Sequence, residues 1–129
     1  MLFIMMTKDS IGQNLKNHQW KNRVLLVLSN SESNRAFKKQ MLQFTDVEAL
    51  KERKLLVYQI FPDNYLLGKK REKSTLFFEQ FMKDKETFRV VLIGLDGGIK
   101  YSQTEVLSRD KLFDIIDSMP MRQAEIRRN

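Results

Sequence analysis

The sequence predicts an α/β domain built on a four-stranded mixed sheet, in the order β-α-β-α-β-β-α, with helices on both faces. Residues 23–28 are an unbroken apolar run, typical of a central strand covered on both faces. Over residues 35–54, apolar residues recur every three or four positions, as in an amphipathic helix. Asp96-Gly97 then separates two strand-like runs, which predicts a hairpin because a tight hairpin turn needs positive φ.

The first half of the domain is predicted as strand, helix, strand. Ser31 and Ser33 are candidate N-caps of the helix over 35–54, and Thr45 to Glu48 resembles a capping box inside it. The segment is therefore either two helices or one bent helix. Residues 54–61 are the second strand, and Pro62 and Asp63 end it.

The second half is predicted as loop, helix, hairpin and helix. Residues 63–73 are interpreted as a loop and residues 74–85 as a helix capped by Ser74. Residues 88–93 and 99–102 form the hairpin strands, and Ser108 caps a last helix that Pro120 ends. Two strands joined by a helix are expected to run parallel with a right-handed crossover. This is the element order of the thioredoxin fold.

The chain length of 129 residues indicates one domain, placed at residues 20–129, with residues 1–19 as an extension. Trp20 is expected to pack at the entry of the first strand. The apolar start, residues 1–6, is too short to span a bilayer and lacks a basic leader and a cleavage site. It is either a disordered or strand-forming start, which fits a cytoplasmic protein, or the remnant of an export signal, which fits a periplasmic or secreted one.

The absence of cysteine excludes disulfide exchange, cysteine peroxidase chemistry and Cys-ligated zinc. His18 is the only histidine, lies near no nucleophile motif and is interpreted as a lone surface residue. One histidine and scattered carboxylates give no metal-ligand spacing, so neither a metal nor another cofactor is expected.

The segment after the first strand is the candidate binding loop. In thioredoxin-like chains it holds the redox cysteines, and a cis-proline precedes the third strand, where this chain has Thr87. The polar groups here either cap and turn the chain or form a ligand or partner site at the helix start. The candidate residues are Ser29, Asn30, Ser31, Glu32, Ser33 and Thr87.

The formal charge of +7 favours an acidic partner, either an unknown protein or an acidic polymer. Nucleic acid is an unlikely partner, because the charge is spread along the chain and the one tight basic run, residues 69–73, has no interleaved aromatic residues. No transmembrane span is expected, and the oligomeric state stays open.

Three stretches resemble one family: "WKNRVLLVLS" at 20–29, "FRVVLIGLDGGIKYS" at 88–102 and "LFDIIDSMPMRQAEIR" at 112–127. That family is a domain of unknown function found in small bacterial proteins, often exported, and in the C-terminal part of animal sushi-repeat-containing extracellular proteins. The resemblance implies a thioredoxin- or peroxiredoxin-like fold without established enzymatic activity, and it favours export. It also implies a structural or contact role for Met121, Arg122, Glu125 and Arg128, the alternative being that the tail helix docks and its arginines pair locally.

Together these observations favour a non-redox binding or interaction module. The alternative is an enzyme with thiol-free chemistry at loop 29–34. A weak nucleic-acid binder is the third and least favoured interpretation.

Overall fold

The structure is a computed structural model that describes residues 15–128. The predicted interpretation of residues 1–6 therefore lies outside the described residues. The strands are β1 (Arg23–Ser29), β2 (Leu55–Ile60), β3 (Asn64–Leu67), β4 (Lys70–Lys73), β5 (Phe88–Ile93) and β6 (Ile99–Gln103). The helices are α1 (Arg35–Met41), α2 (Val47–Glu52), α3 (Leu76–Phe81), α4 (Arg109–Asp117) and α5 (Pro120–Arg128).

The strands form one mixed sheet in the order β4-β3-β2-β1-β5-β6, with β1 near its centre. Strand β1 is buried along its whole length, as its unbroken apolar run predicts. It pairs in parallel with β2, where Leu25 lies opposite Val57, and antiparallel with β5, where Leu25 lies opposite Leu92. The predicted parallel pair is confirmed.

Helices cover both faces of the sheet, as expected. Leu25 and Val27 face a core filled by side chains of α1, α2 and α4. The alternate residues of β1 face a second core, closed by α3 and by Leu15. Because a strand points successive side chains to opposite faces, one apolar run supplies both cores.

The sheet has six strands, so the prediction of four was wrong. Residues interpreted as a loop form the hairpin β3–β4, joined by the two-residue turn Gly68-Lys69. Gly68 has φ +63, the conformation that glycine adopts at the first position of such a turn. All four residues of β4 are exposed, so this strand has no apolar alternation to reveal it. Charged residues on an edge strand prevent pairing with other chains.

The segment 35–54 is two helices, and both caps differ from the predicted ones. Asn34 caps α1 by accepting a hydrogen bond from the Phe37 N–H at 3.1 Å, in place of Ser31 or Ser33. Asp46 caps α2 by accepting from the Ala49 N–H at 3.1 Å, in place of Thr45. Asn34 directly follows Ser33, and Asp46 directly follows Thr45. Which residue acts as the cap depends on the direction of the backbone at the helix start.

The second hairpin and the last cap confirm the predictions made for them. Gly97 has φ +85, and its N–H donates to the Gly94 carbonyl at 3.0 Å. Ser108 caps α4 by accepting from the Lys111 N–H at 3.2 Å. The prediction that Pro120 ends the last helix was wrong: α4 ends at Asp117, and Pro120 is the first residue of a further helix, α5, a position that suits a residue without an N–H.

Trp20 does not pack at the strand entry. Its side chain is 61% exposed, and its backbone takes the left-handed conformation with φ +69. Its N–H donates to the Leu95 carbonyl at 2.6 Å, so the chain turns at this residue before β1 begins. The turn holds the indole away from the strand entry, where it was expected to pack.

Candidate functional site

Loop 29–34 leaves the carboxyl end of β1 and meets the start of β5. Ser29 is buried, and its hydroxyl donates to the Ser31 carbonyl at 2.7 Å. The Asn30 N–H donates to the Thr87 carbonyl at 3.0 Å. The structure thus brings Thr87 against the loop, at the position where sequence reasoning placed it.

Asn34 connects the loop to both neighbours. Its Nδ2 donates to Asn30 Oδ1 at 2.9 Å and to the Thr87 carbonyl at 3.4 Å, while its Oδ1 caps α1. One amide therefore satisfies the helix start and joins the two chain segments. Asparagine at the residue before Arg35 is itself a local N-cap signal that the prediction of Ser31 or Ser33 passed over, whereas the contact with Thr87, 53 residues away, leaves no local signal.

The remaining side chains of the loop are exposed. Asn30, Glu32 and Ser33 face solvent, and the hydroxyls of Ser31 and Ser33 lie 3.1 Å apart. The Thr87 side chain is also exposed, beside them. The backbone of the loop is engaged internally, whereas these side chains are available on its outer surface.

Two ion pairs flank the loop. Arg71 on β4 contacts Glu32 at 3.3 Å and also donates to Asn64. On the other side Arg89 contacts Glu86 at 2.6 Å. This hydrogen bond lowers the pKa of the Glu86 carboxyl and raises the pKa of the Arg89 guanidinium. Arg71 was missed because its strand was interpreted as a loop.

His18 is separate from loop 29–34. Its Nε2 is hydrogen-bonded to the buried Tyr58 hydroxyl at 2.7 Å, so the expected lone surface histidine is partly buried instead. Burial and then the charge of Lys21 lower the pKa of His18. Burial, with a smaller effect of Tyr65, raises the pKa of Tyr58 to about 12. Both groups are therefore neutral at pH 7.

The four tail residues divide into two buried and two exposed. Arg122, which is 2% exposed, binds Asp117 at 3.0 Å and also Glu52. Glu125 is buried and binds the guanidinium of Arg23 at 3.0 Å. Met121 and Arg128 are exposed. Besides the Arg122–Asp117 pair, the two buried members bind residues that are distant in sequence, and they hold α5 against α2 and β1.

The carboxylates of this network keep their charge. Burial raises the pKa values of Asp117 and Glu125, but the paired arginines outweigh it, so both pKa values lie below the ordinary range. For Asp117 the opposing hydrogen bonds come from Arg53 and Arg122, and for Glu125 from Arg23.

Metal binding and membrane insertion can both be judged from the described residues. Within residues 15–128, no three His, Cys, Asp or Glu side chains are grouped so as to hold a metal ion. Over the same residues, no helix has the length and apolar character needed to cross a bilayer.

Comparison with known proteins identifies the fold and the family of the chain. The crystal structure of reduced 2-Cys peroxiredoxin from Plasmodium vivax superposes with a TM-score of 0.61. It is 15% identical, and the match covers 85% of this chain and 84% of that one, a likeness that shows the thioredoxin-like fold. A comparison with curated proteins found no match. The family model described as "Domain of unknown function (DUF4174)" matches residues 14–125, and the chain therefore belongs to the DUF4174 family.

Proposed function

We propose that this chain is a non-redox binding module that contacts a protein or an acidic polymer through loop 29–34 and Thr87. The observation that carries the proposal is the internal bonding of the loop. Asn30 and Asn34 both bond to the Thr87 carbonyl, which leaves the side chains of Ser31, Glu32 and Ser33 exposed on a fixed backbone.

A fixed loop suits recognition. A surface already held in its bound conformation loses less conformational entropy when a partner docks. The outer side of the loop presents one negative and one positive side chain, because Glu32 and Arg71 lie 3.3 Å apart there. Each member of this ion pair can leave the other and pair with a charged group on a bound protein. Such charge pairing contributes more to specificity than to affinity.

The hydrogen bonds in the loop favour binding over nucleophilic catalysis. A serine nucleophile needs a base within hydrogen-bonding reach. The Ser29 hydroxyl instead donates to a carbonyl, and the Ser31 hydroxyl lies against that of Ser33. The chain's single histidine bonds to Tyr58 outside the loop. The alternative function is therefore thiol-free catalysis at loop 29–34, and no geometric observation favours it.

The test is affinity capture from the native organism, with soluble, envelope and medium fractions kept apart at low and high salt. The loop variant carries Ser31→Ala and Glu32→Ala. A control variant carries Thr104→Ala and Glu105→Ala, which are also an adjacent exposed hydroxyl and carboxylate. We expect one partner to survive high salt with the wild type and the control and to be lost with the loop variant.

Two results would overturn the proposal. Equal capture by the loop variant would show that Ser31 and Glu32 take no part in binding. Capture of polyanions alone, equally by the wild type and the loop variant and lost at high salt, would show nonspecific attraction to the +7 charge.

A further inference from the structure

Two exposed residues at the end of the sheet where β1 and β2 begin have a left-handed backbone. Trp20 has φ +69 and Lys54 has φ +53. This conformation costs about 1–2 kcal/mol for a residue with a Cβ, and glycine normally occupies it. The third such residue, Lys85, lies at the opposite end, shortly before β5.

Neighbouring hydrogen bonds hold both conformations. The Trp20 N–H donates to the Leu95 carbonyl, and the next two N–H groups donate to the His18 carbonyl at 2.9 and 2.8 Å. The Lys54 carbonyl accepts from the Arg23 N–H at 2.8 Å and from Asn22 Nδ2 at 3.4 Å. The fold thus keeps a tryptophan and a lysine where glycine would relieve the strain, and strained positions are concentrated at functional sites.

The charge around these residues is one-sided. Lys21 follows Trp20, and the end of α5 reaches this region because Glu125 binds Arg23, the first residue of β1. The negative charge of Glu125 is therefore balanced by Arg23, and α5 ends in Arg127 and Arg128. In the described part of the chain, the side chains of Lys21, Lys54, Arg127 and Arg128 are exposed and form no ion pair.

We propose that this amino-end surface, formed by Trp20, Lys21, Lys54, Arg127 and Arg128, docks an acidic segment of a partner protein, with an apolar side chain packed on Trp20. These four cations form no salt bridge with another of residues 15–128, which favours an acidic partner over a second copy of this basic chain. Tryptophan and arginine are also the residues that carry most binding energy in protein interfaces.

The exposed apolar side chains favour a protein segment over a plain polyanion. Trp20 is 61% exposed, and Ile126, in the same helical turn as Arg127 and Arg128, is 43% exposed. A polyanion without apolar groups leaves both uncovered, whereas a protein segment buries them. An interface of standard size, about 800 Å² on each partner, is large enough to cover this end of the sheet.

Trp20 reports directly on occupancy because it is the only tryptophan in the chain. The probe is a labelled synthetic peptide of alternating Asp and Glu around a central Leu-Phe pair. We expect it to shift the Trp20 fluorescence to the blue and to bind by anisotropy. A peptide with Ser-Ser at its centre and a single-stranded oligothymidine are the comparison ligands.

The variants are matched by backbone conformation. Trp20→Gly should weaken binding of the Leu-Phe peptide by about tenfold or more, and Lys54→Gly should weaken it by a smaller factor. Lys85→Gly should bind as the wild type does. Since glycine favours positive φ, all three variants should fold, which circular dichroism and thermal melts check.

Three results would overturn the proposal. These are unchanged affinity in Trp20→Gly, equal binding of the Ser-Ser peptide, and binding of the oligothymidine alone, which would identify a nucleic-acid surface instead. The surface is separate from loop 29–34, so the Ser31→Ala, Glu32→Ala variant should bind the peptide normally. Failure here leaves the proposed role of the loop standing, and failure of the loop leaves this surface standing.

Discussion

The side chains of Arg23 and Glu125 join the first strand to the last helix across 102 positions of sequence. Arg23 is 1% exposed, and its guanidinium also donates to the Arg53 carbonyl at 2.9 Å. A buried charge is tolerated only while its partner and hydrogen bonds are present. Glu125 therefore contributes to stability mainly by compensating the buried charge of Arg23 at the start of β1.

We predict that Glu125→Ala lowers the free energy of unfolding by about 3–5 kcal/mol, because it leaves Arg23 buried without its counter-ion. Urea denaturation of the variant measures this loss. Glu105→Ala, at an exposed position, should change the free energy by less than about 0.5 kcal/mol.

The double variant Arg23→Met, Glu125→Leu tests the same explanation. Because it removes both charges together, we expect it to recover most of the stability that Glu125→Ala loses. A double variant as unstable as the single one would contradict the account, since the loss would then come from packing rather than from an unpaired charge.

At the scale of elements, caps and turns decide where helices and strands begin. Asn34 both caps α1 and bonds to the Thr87 carbonyl, so one side chain sets the helix start and the position of loop 29–34. Gly68 turns β3 into β4 with φ +63, and a Cβ built there meets no atom within 4 Å. The demand on that glycine is therefore conformational and not steric.

We predict that Asn34→Ala lowers the free energy of unfolding by about 1–2 kcal/mol, because the Phe37 N–H loses its acceptor. Ser33→Ala should change it by less than about 0.5 kcal/mol, since Ser33 contacts only the exposed Ser31 hydroxyl. Chemical denaturation of the two variants separates these expectations. Equal losses would mean that the loop and not the cap carries the stability.

Gly68→Ala should destabilise the protein by about 1–2 kcal/mol through the positive φ alone. Gly98→Ala is the matched control, because Gly98 lies in the other hairpin with an ordinary φ and only ordinary contacts for a Cβ. We expect the control to be neutral or stabilising by up to about 1 kcal/mol. A neutral Gly68→Ala would show that the β3–β4 turn tolerates another conformation.

At the scale of the whole molecule, charged residues determine the character of the two edge strands of the sheet and the dependence of the protein's stability on pH. Strand β4 is charged at every position, while on β6 the only charge, Lys100, binds Asp96 at 2.7 Å. This contact lowers the pKa of the Asp96 carboxyl. Inside, the carboxylates that bind Arg23, Arg53 and Arg122 hold strand, helices and tail together.

We predict two steps of acid destabilisation. His18 has a pKa below its ordinary 6.5, so the unfolded chain takes up its proton first and stability falls as the pH drops below about 6.5. Glu125 and Asp117 have pKa values below the ordinary 4.5 and 3.8, so their contribution is present above those values and is lost as the pH falls through the lower folded ones.

Urea denaturation at a series of pH values checks both steps. His18→Gln should remove the first step and keep the second. Glu125→Gln should be less stable at pH 7 and should show a smaller second step. A flat profile between pH 7 and pH 5.5 in the wild type would contradict the role given to His18.

The sequence by itself determined the elements that rest on local signals. The apolar run of β1 requires cover on both faces, Asp96-Gly97 requires positive φ, and Ser108 has the side chain that a helix start needs. Each signal is contained within a few residues, and at these three positions the rest of the structure agrees with it. The position of loop 29–34 beside Thr87 also followed, from the element order of the fold.

Only the tertiary structure decided the elements that depend on distant partners. Strand β4 exists because β3 pairs with it. The Asn34 amide also contacts the distant Thr87 carbonyl, and the Trp20 N–H is held by the Leu95 carbonyl. The tail residues Arg122 and Glu125 are interior because Glu52 and Arg23 meet them there. Hydrogen bonds and ion pairs between remote segments leave no periodic pattern in a sequence, so folding alone brings them together.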